Sequence, residues 1–407
     1  MSAASLSLRA ALRTRFGGLP AVYWRIWTGT LVNRAGTFVE PFLALYLTTV
    51  RGLSIPAAGA VVAVYGAGCV IAQPLGGTLA DRVGRRATMT AGLCLSGVGL
   101  AALGAARDPV LITVIGFLLG AFGDAYRPAS QAAVADLVPV EDRRRASGLQ
   151  FWAVNLGFSV AAVTGGFLAE AGYGLLFALD AATCLIFGAI VWVAIPETRP
   201  AAAARAGGRG YGAVLRDRLM VAYALVAVGQ SAVLFQIFSV LPLSMRGDGL
   251  STATYGAVVA LNGLLIVLLH PIVAPHALRR APSHVLAAGT LVIAAGSALA
   301  APANAAVAWV AVVAVFTLGE ILVSAVIVGV VAEIAPPALR GRYQGALGFA
   351  FSAAVAITPL AGTQLLGDRG DAPWPWLAGA ALGALAAAAY LALGPALRRR
   401  RTAVGAA

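Results

Sequence analysis

Five ionisable side chains sit in stretches otherwise too apolar to hold them: Arg34 and Glu40, Asp124 and Arg127, and Glu320. An ionised group inside a long apolar helix is costly, so such residues face a partner or water and usually serve ions, protons or the charged part of a ligand. A carboxylate there changes its proton affinity as water and partner charges come and go, which suits proton coupling. Asp124 and Arg127 are three residues apart and share a helix face, with Pro128 placed to loosen the helix beside them. The pair could carry a proton or only make its helix insertable. Arg34 and Glu40 are six apart, about 240° round a regular helix, so each is expected to find a partner on another element, Arg34 with Asp124. Glu40, beside Pro41, could instead lie near the outer water layer. Glu320 has no arginine near it. It is a candidate proton carrier or cation contact, with a structural hydrogen bond as the alternative. Asp180 is expected to be hydrated at a helix end, and His270 to be a packing residue.

Tyr65, Asn155, Gln230, Phe235, Gln236 and Asn262 are the polar and aromatic candidates to line a cavity with these charges. Several chemistries are excluded. All 29 basic residues are arginine, so there is no lysine for a phosphate-binding loop or a Schiff base. Cys69, Cys94 and Cys184 lie in apolar runs with spacing wrong for zinc, and His270, His276 and His284 lack a metal-ligand arrangement. No cofactor and no metal are expected.

The elements that must position these groups follow from composition. Of 407 residues, 60% are hydrophobic and 11% charged, against about 25% charged in a soluble domain. Mean hydropathy is +0.87. A spanning helix needs about 20 apolar residues, and only helices or closed barrels satisfy their backbone in lipid. Barrel strands alternate, whereas these runs are apolar throughout, so an all-α membrane protein is expected. Twelve transmembrane helices are read at 22–49, 54–76, 87–105, 109–138, 146–171, 174–195, 219–245, 252–277, 283–302, 305–335, 343–366 and 373–396. With the N-terminus and every even loop on one side, that side holds 22 arginines and the other four. The positive-inside rule then puts both termini in the cytoplasm, in a cell membrane. The net charge of +13 belongs to helix ends and lipid headgroups, not to nucleic acid.

The chain divides into a basic N-terminal segment (1–21) without the apolar core of a signal peptide, six spans (22–196), an Ala/Gly/Arg-rich linker (197–218), six more spans (219–396) and a basic tail (397–407). A weak repeat supports two pseudo-symmetric halves. Ala135-Asp136 with Pro139, Arg143 and Arg145 is matched, 197 residues on, by Ala332-Glu333 with Pro336, Arg340 and Arg342.

Between the second and third spans stands Gly77-Thr78-Leu79-Ala80-Asp81-Arg82-Val83-Gly84-Arg85-Arg86. This charged turn must lie at a membrane surface. Its pattern, G-x-L-A-D-R-x-G-R-R, resembles the corresponding loop of major facilitator superfamily transporters. The resemblance implies a twelve-helix fold whose spans 1, 4, 7 and 10 line one central cavity; all five buried charges fall in that set. It further implies that Gly77, Asp81, Arg82, Gly84, Arg85 and Arg86 form a gate. Asp81 would meet the N-terminus of span 11 in the outward-facing state, and the arginines would bind Asp136, Glu141 or lipid phosphates. In span 5, Gly157 to Gly166 ends in the paired glycines of drug exporters, but Ala161-Ala162 replaces their Gly-Pro. The expected activity is proton-coupled efflux of small hydrophobic or amphipathic compounds by a monomer. An importer or facilitator of a nutrient is the alternative. A membrane enzyme or receptor is the alternative of another class, but it would need a catalytic cluster or a larger soluble region.

Overall fold

The computed structural model describes residues 17–199, 212–336 and 339–405. Arg9, Arg13 and Arg15 of the N-terminal segment and Arg205 and Arg209 of the linker lie outside them. The described residues form helices joined by short turns and loops, without strands: α1 (Ala21–Ala35), α2 (Val39–Thr49), α3 (Ile55–Arg82), α4 (Arg85–Ala105), α5 (Pro109–Leu118), α6 (Tyr126–Leu137), α7 (Arg143–Ala171), α8 (Tyr173–Ala194), α9 (Gly212–Arg216), α10 (Arg218–Ser239), α11 (Leu241–Gly247), α12 (Thr252–Ala277), α13 (Pro282–Ala300), α14 (Ala306–Ile334), α15 (Arg340–Leu366) and α16 (Trp374–Gly405). Counting α5–α6 as one unit, 11 helices among the described residues are long and apolar enough to cross a membrane.

The region expected as one span at 22–49 is missing from those 11 because it is broken into α1 and α2, each too short alone. Gly36 ends α1 and the Thr37 hydroxyl turns back to the Asn33 carbonyl, so helical bonding stops before Val39. Two other boundaries move. The charged motif is helical to Arg82, so the turn is only Val83-Gly84. At the far end α16 runs to Gly405, so the basic tail continues the last helix.

Neighbours pack in two kinds of contact. α4 lies on α8, α1 on α7, α13 on α14 and α16, and α10 on α15. Two further pairs join helices before residue 200 to helices after residue 211, α3 with α15 and α7 with α12. These last seams are close to backbone-on-backbone. A methyl added at Gly66 would come within 2.7 Å of the Ala356 Cα, and one at Gly256 would run into the Ala162 carbonyl. Small residues at such crossings let membrane helices approach closely, where dispersion contacts hold them.

Candidate functional site

The two breaks in helical bonding put the charges in place. α5 loosens into a π-helical segment at Leu119–Gly123 before α6 begins at Tyr126. Pro128 has no N–H to give and its ring clashes with the carbonyl four residues back, that of Asp124, which explains why the helix widens there. Asp124 is left at the widened turn, 2.6 Å from the Arg127 Nε.

The α1–α2 break does the same for the first pair. Because the chain turns at Gly36–Phe38, Arg34 and Glu40 approach to 3.9 Å, although six residues apart would separate them on a regular helix. The expectation of different facing directions is therefore corrected, as is the pairing of Arg34 with Asp124. Arg34 donates instead to the Tyr126 hydroxyl, at 2.6 Å. The break is gripped from α8. Asp180 accepts the Val39 N–H at 3.0 Å, capping the first turn of α2, and Cys184 accepts from Asn33 on the α1 side. Asp180 is only 3% exposed, so its expected hydration at a helix end is also corrected. It lies about two turns into α8, where the opened backbone of span 1 supplies the donor that water would have given.

A cavity with about 1020 Å³ of empty space, part of it open to solvent, lies between these elements. Six of the sequence candidates line it: Arg34, Glu40, Tyr65, Asp124, Arg127 and Phe235. Asn33, Tyr126, Asp180, Cys184, Phe238 and Ser239 also line it and were not singled out as cavity residues from sequence. Phe238 was within reach of such reasoning, since it sits one turn beyond Phe235 on α10.

The remaining candidates lie elsewhere. Glu320 accepts from the Asn262 amide at 2.7 Å, and that amide also reaches the Thr317 hydroxyl. Asn155 sits in the α7–α12 seam, bonded to Phe151 of its own helix. Gln236 ties α10 to the Pro375 carbonyl and accepts from Ser297. Gln230 is buried with neither amide atom paired. The His270 ring packs on Phe151, 5.1 Å between centroids.

At the arginine-rich end the charged motif is a network. Arg85 meets Asp81 at 3.0 Å and Asp136 at 3.1 Å, and Arg86 stacks over Trp192. Among the described residues the ion pair of Asp81 is this one, within its own motif, and not with α15. Glu197 is the residue missed here. It accepts the backbone N–H groups of Arg85, Arg86, Thr198 and Arg199. Burial raises its proton affinity, but these four bonds outweigh it and hold the carboxyl below its usual range. Gly84, at φ +125°, passes so close to Glu197 that a Cβ would collide with the carboxylate. The repeat-related acid, Glu333, pairs with Arg401 at 3.4 Å. At the opposite end, Arg246 donates to Thr48 at 2.8 Å, Tyr255 to the Pro41 carbonyl at 3.1 Å and the Ala253 N–H to Glu170 at 3.2 Å.

Comparison with known proteins gives this arrangement a family. The sequence matches the Major Facilitator Superfamily over residues 26–356 and 237–406. It is 27% identical over 340 residues to the uncharacterized MFS-type transporter YqjV of Bacillus subtilis (strain 168), covering 81% of this chain and 82% of that one. It is 28% identical over 340 residues to the multidrug resistance protein MdtH of Klebsiella pneumoniae (strain 342), again covering 81% and 82%. Among solved structures, a POT family transporter in complex with 5-aminolevulinic acid aligns at a TM-score of 0.79 over 94% of this chain and 97% of that one, with 14% identity. The nucleoside transporter NupG aligns at 0.77 over 91% and 99%, with 13% identity, a likeness of fold alone. The family match across nearly the whole chain, on an all-helical membrane fold of the same shape, makes this protein a multi-pass transporter of the major facilitator superfamily and not an enzyme.

Proposed function

We propose that this transporter works by alternating access as a proton-coupled exporter of small hydrophobic or amphipathic compounds. In this reading the frame has twelve spans, the broken α1–α2 unit being the first. They form two six-helix halves, 22–196 and 219–396, joined by a cytoplasmic linker at 197–218. Both termini are cytoplasmic, the protein acts as a monomer in the inner membrane, and its exposed arginines meet lipid phosphates. The observation that carries the proposal is the cavity, whose lining brings the carboxylates of Glu40, Asp124 and Asp180 and the guanidiniums of Arg34 and Arg127 together with the Phe235 and Phe238 rings. An ionised group hydrated in one state and shielded in the other supplies the differential free energy that coupling requires. The multidrug-resistance names of the MdtH relatives support efflux as the direction.

The bonds from Arg246, Tyr255 and Ala253 close the arginine-poor end, and Asp81 turns to Arg85; together they fit a state open to the cytoplasm. When the other end opens, Asp81 is expected to move to the N-terminus of α15, where a carboxylate meets a positive helix end. In everted vesicles carrying the protein, a protonophore should abolish accumulation of exported dye. Accumulation that persists without the gradient would rule out proton coupling. A reporter enzyme fused after Ala407 checks the orientation of the C-terminus.

A further inference from the structure

The two ion pairs in the cavity wall are turned in opposite senses. In one the arginine is withdrawn: Arg34 is 12% exposed, Glu40 45%. In the other the acid is withdrawn: Asp124 is 11% exposed, Arg127 39%. A molecule in the cavity therefore meets one carboxylate and one guanidinium, and the charges behind them stay covered. Both withdrawn groups hold their places without help from a ligand. Arg34 is fixed on the Tyr126 hydroxyl, and Asp124 pairs with the Nε of Arg127, whose outer guanidinium edge has no partner among the described residues. Asp180 adds no third accessible charge, because it is buried and bonded to the Val39 N–H. The facing wall is apolar. Phe235 and Phe238 present rings 5.9 Å apart, with Val355 and Pro359 of α15 beside them.

We propose that the cavity selects amphiphiles with a zwitterionic head, an ammonium and a carboxylate at one end of an aromatic or aliphatic body. The ammonium pairs with Glu40, the carboxylate lies against the free edge of Arg127, and the body packs on Phe235 and Phe238. The two charges that a ligand can reach, Glu40 and Arg127, sum to zero, so a monocation or a monoanion would engage one of them and leave the other without a ligand contact. A zwitterion adds no net charge and satisfies both exposed groups, with the planar fork of arginine suited to a carboxylate. The proposal rests on the substrate of the exporter occupying this cavity.

The test uses four compounds sharing one indole: tryptophan (zwitterion), tryptamine (cation), indolepropionate (anion) and skatole (uncharged). Binding to the purified full-length protein is read by thermal shift across a ligand titration. Tryptophan should bind about tenfold more tightly than tryptamine or indolepropionate, one charge-assisted contact being worth at least that factor, with skatole weakest. Arg127→Gln should erase the advantage of tryptophan over tryptamine, and Glu40→Gln its advantage over indolepropionate. A general loss of folding would not produce that crossed pattern. The proposal is overturned if tryptamine or indolepropionate matches tryptophan on the parent protein. It is also overturned if no member of the series binds, or if either variant weakens all four alike. Counterflow of the labelled compounds in proteoliposomes separates this result from the transport reading. Tryptophan that binds first but never crosses would defeat export and leave the selectivity intact. Compounds that cross with the cation preferred would do the reverse.

Discussion

Asp124 and Glu320 sit at nearly matching places in the two sequence-related helical regions, and their surroundings differ in kind. The helix around Asp124 gives up its regularity at Leu119–Gly123, its carboxylate meets a guanidinium and both line the cavity. The helix around Glu320 runs unbroken from Ala306 to Ile334, and its carboxylate meets the neutral amide of Asn262. A carboxylate with a guanidinium partner cannot take up a proton without stranding that partner. One held by an amide can, because the amide serves either form. On this contrast we propose that the first region contacts the ligand and that, within the proton-coupled reading, Glu320 carries the proton.

Asp124→Asn should have the largest effect. It leaves Arg127 without a counter-ion and should cost about 2–3 kcal/mol, less than the ~3–5 of a fully buried pair because Arg127 is 39% exposed. The thermal midpoint should fall and transport should stop. Adding Arg127→Gln should restore the midpoint without restoring transport, and a double variant as unstable as the single one would refute the pairing argument. Glu320→Gln should be nearly neutral for stability, within about 1 kcal/mol, since its amide oxygen can still accept from Asn262. Efflux in that variant should become indifferent to a protonophore. Efflux that still follows the gradient would move proton carriage to another acid.

Asp180 sharpens the comparison by testing what the irregular backbone is for. Asp180→Asn keeps an acceptor for the Val39 N–H and should behave like the parent. Asp180→Ala removes the cap, should cost about 1 kcal/mol and should weaken ligand affinity by letting Arg34 and Glu40 drift apart. Equal behaviour of the two variants would show that the break does not depend on this bond. Glu197 should give the smallest effect. Its carboxyl is held low in the folded state, so its contribution is present above its unfolded pKa and is lost as pH falls through the folded value. Being exposed, it is worth less than about 0.5 kcal/mol, visible as a flatter acid limb of midpoint against pH in Glu197→Gln.

Much of the frame was legible because lipid imposes it. Apolar runs of fixed length need no tertiary knowledge, and most of them reappear as the 11 helices long and apolar enough to cross a membrane among the described residues. Four charges that line the cavity were legible in identity and illegible in geometry. Arg34, Glu40, Asp124 and Arg127 stand out as charges in apolar helices, but their pairing depends on two interruptions of helical bonding. Pro128 announces one of these, whereas Gly36 is one among 48 glycines and announces little. Asp180 was misread for the same reason, since its donor exists only once span 1 opens beside it. Glu197 was passed over because it begins a linker, and a linker acid reveals its role only when the motif helix starts against it.

The seams at Gly66 and Gly256 bear on how fast such a machine can run. A contact made of interlocked side chains has teeth, and every step of one helix past another must wait for rotamers to disengage. Where backbone meets backbone, as between α3 and α15 and between α7 and α12, a plain bearing with little friction is the expected behaviour of the joint. One added methyl at either glycine would act as a brake on the motion, and turnover would slow even where affinity for the cargo was unchanged.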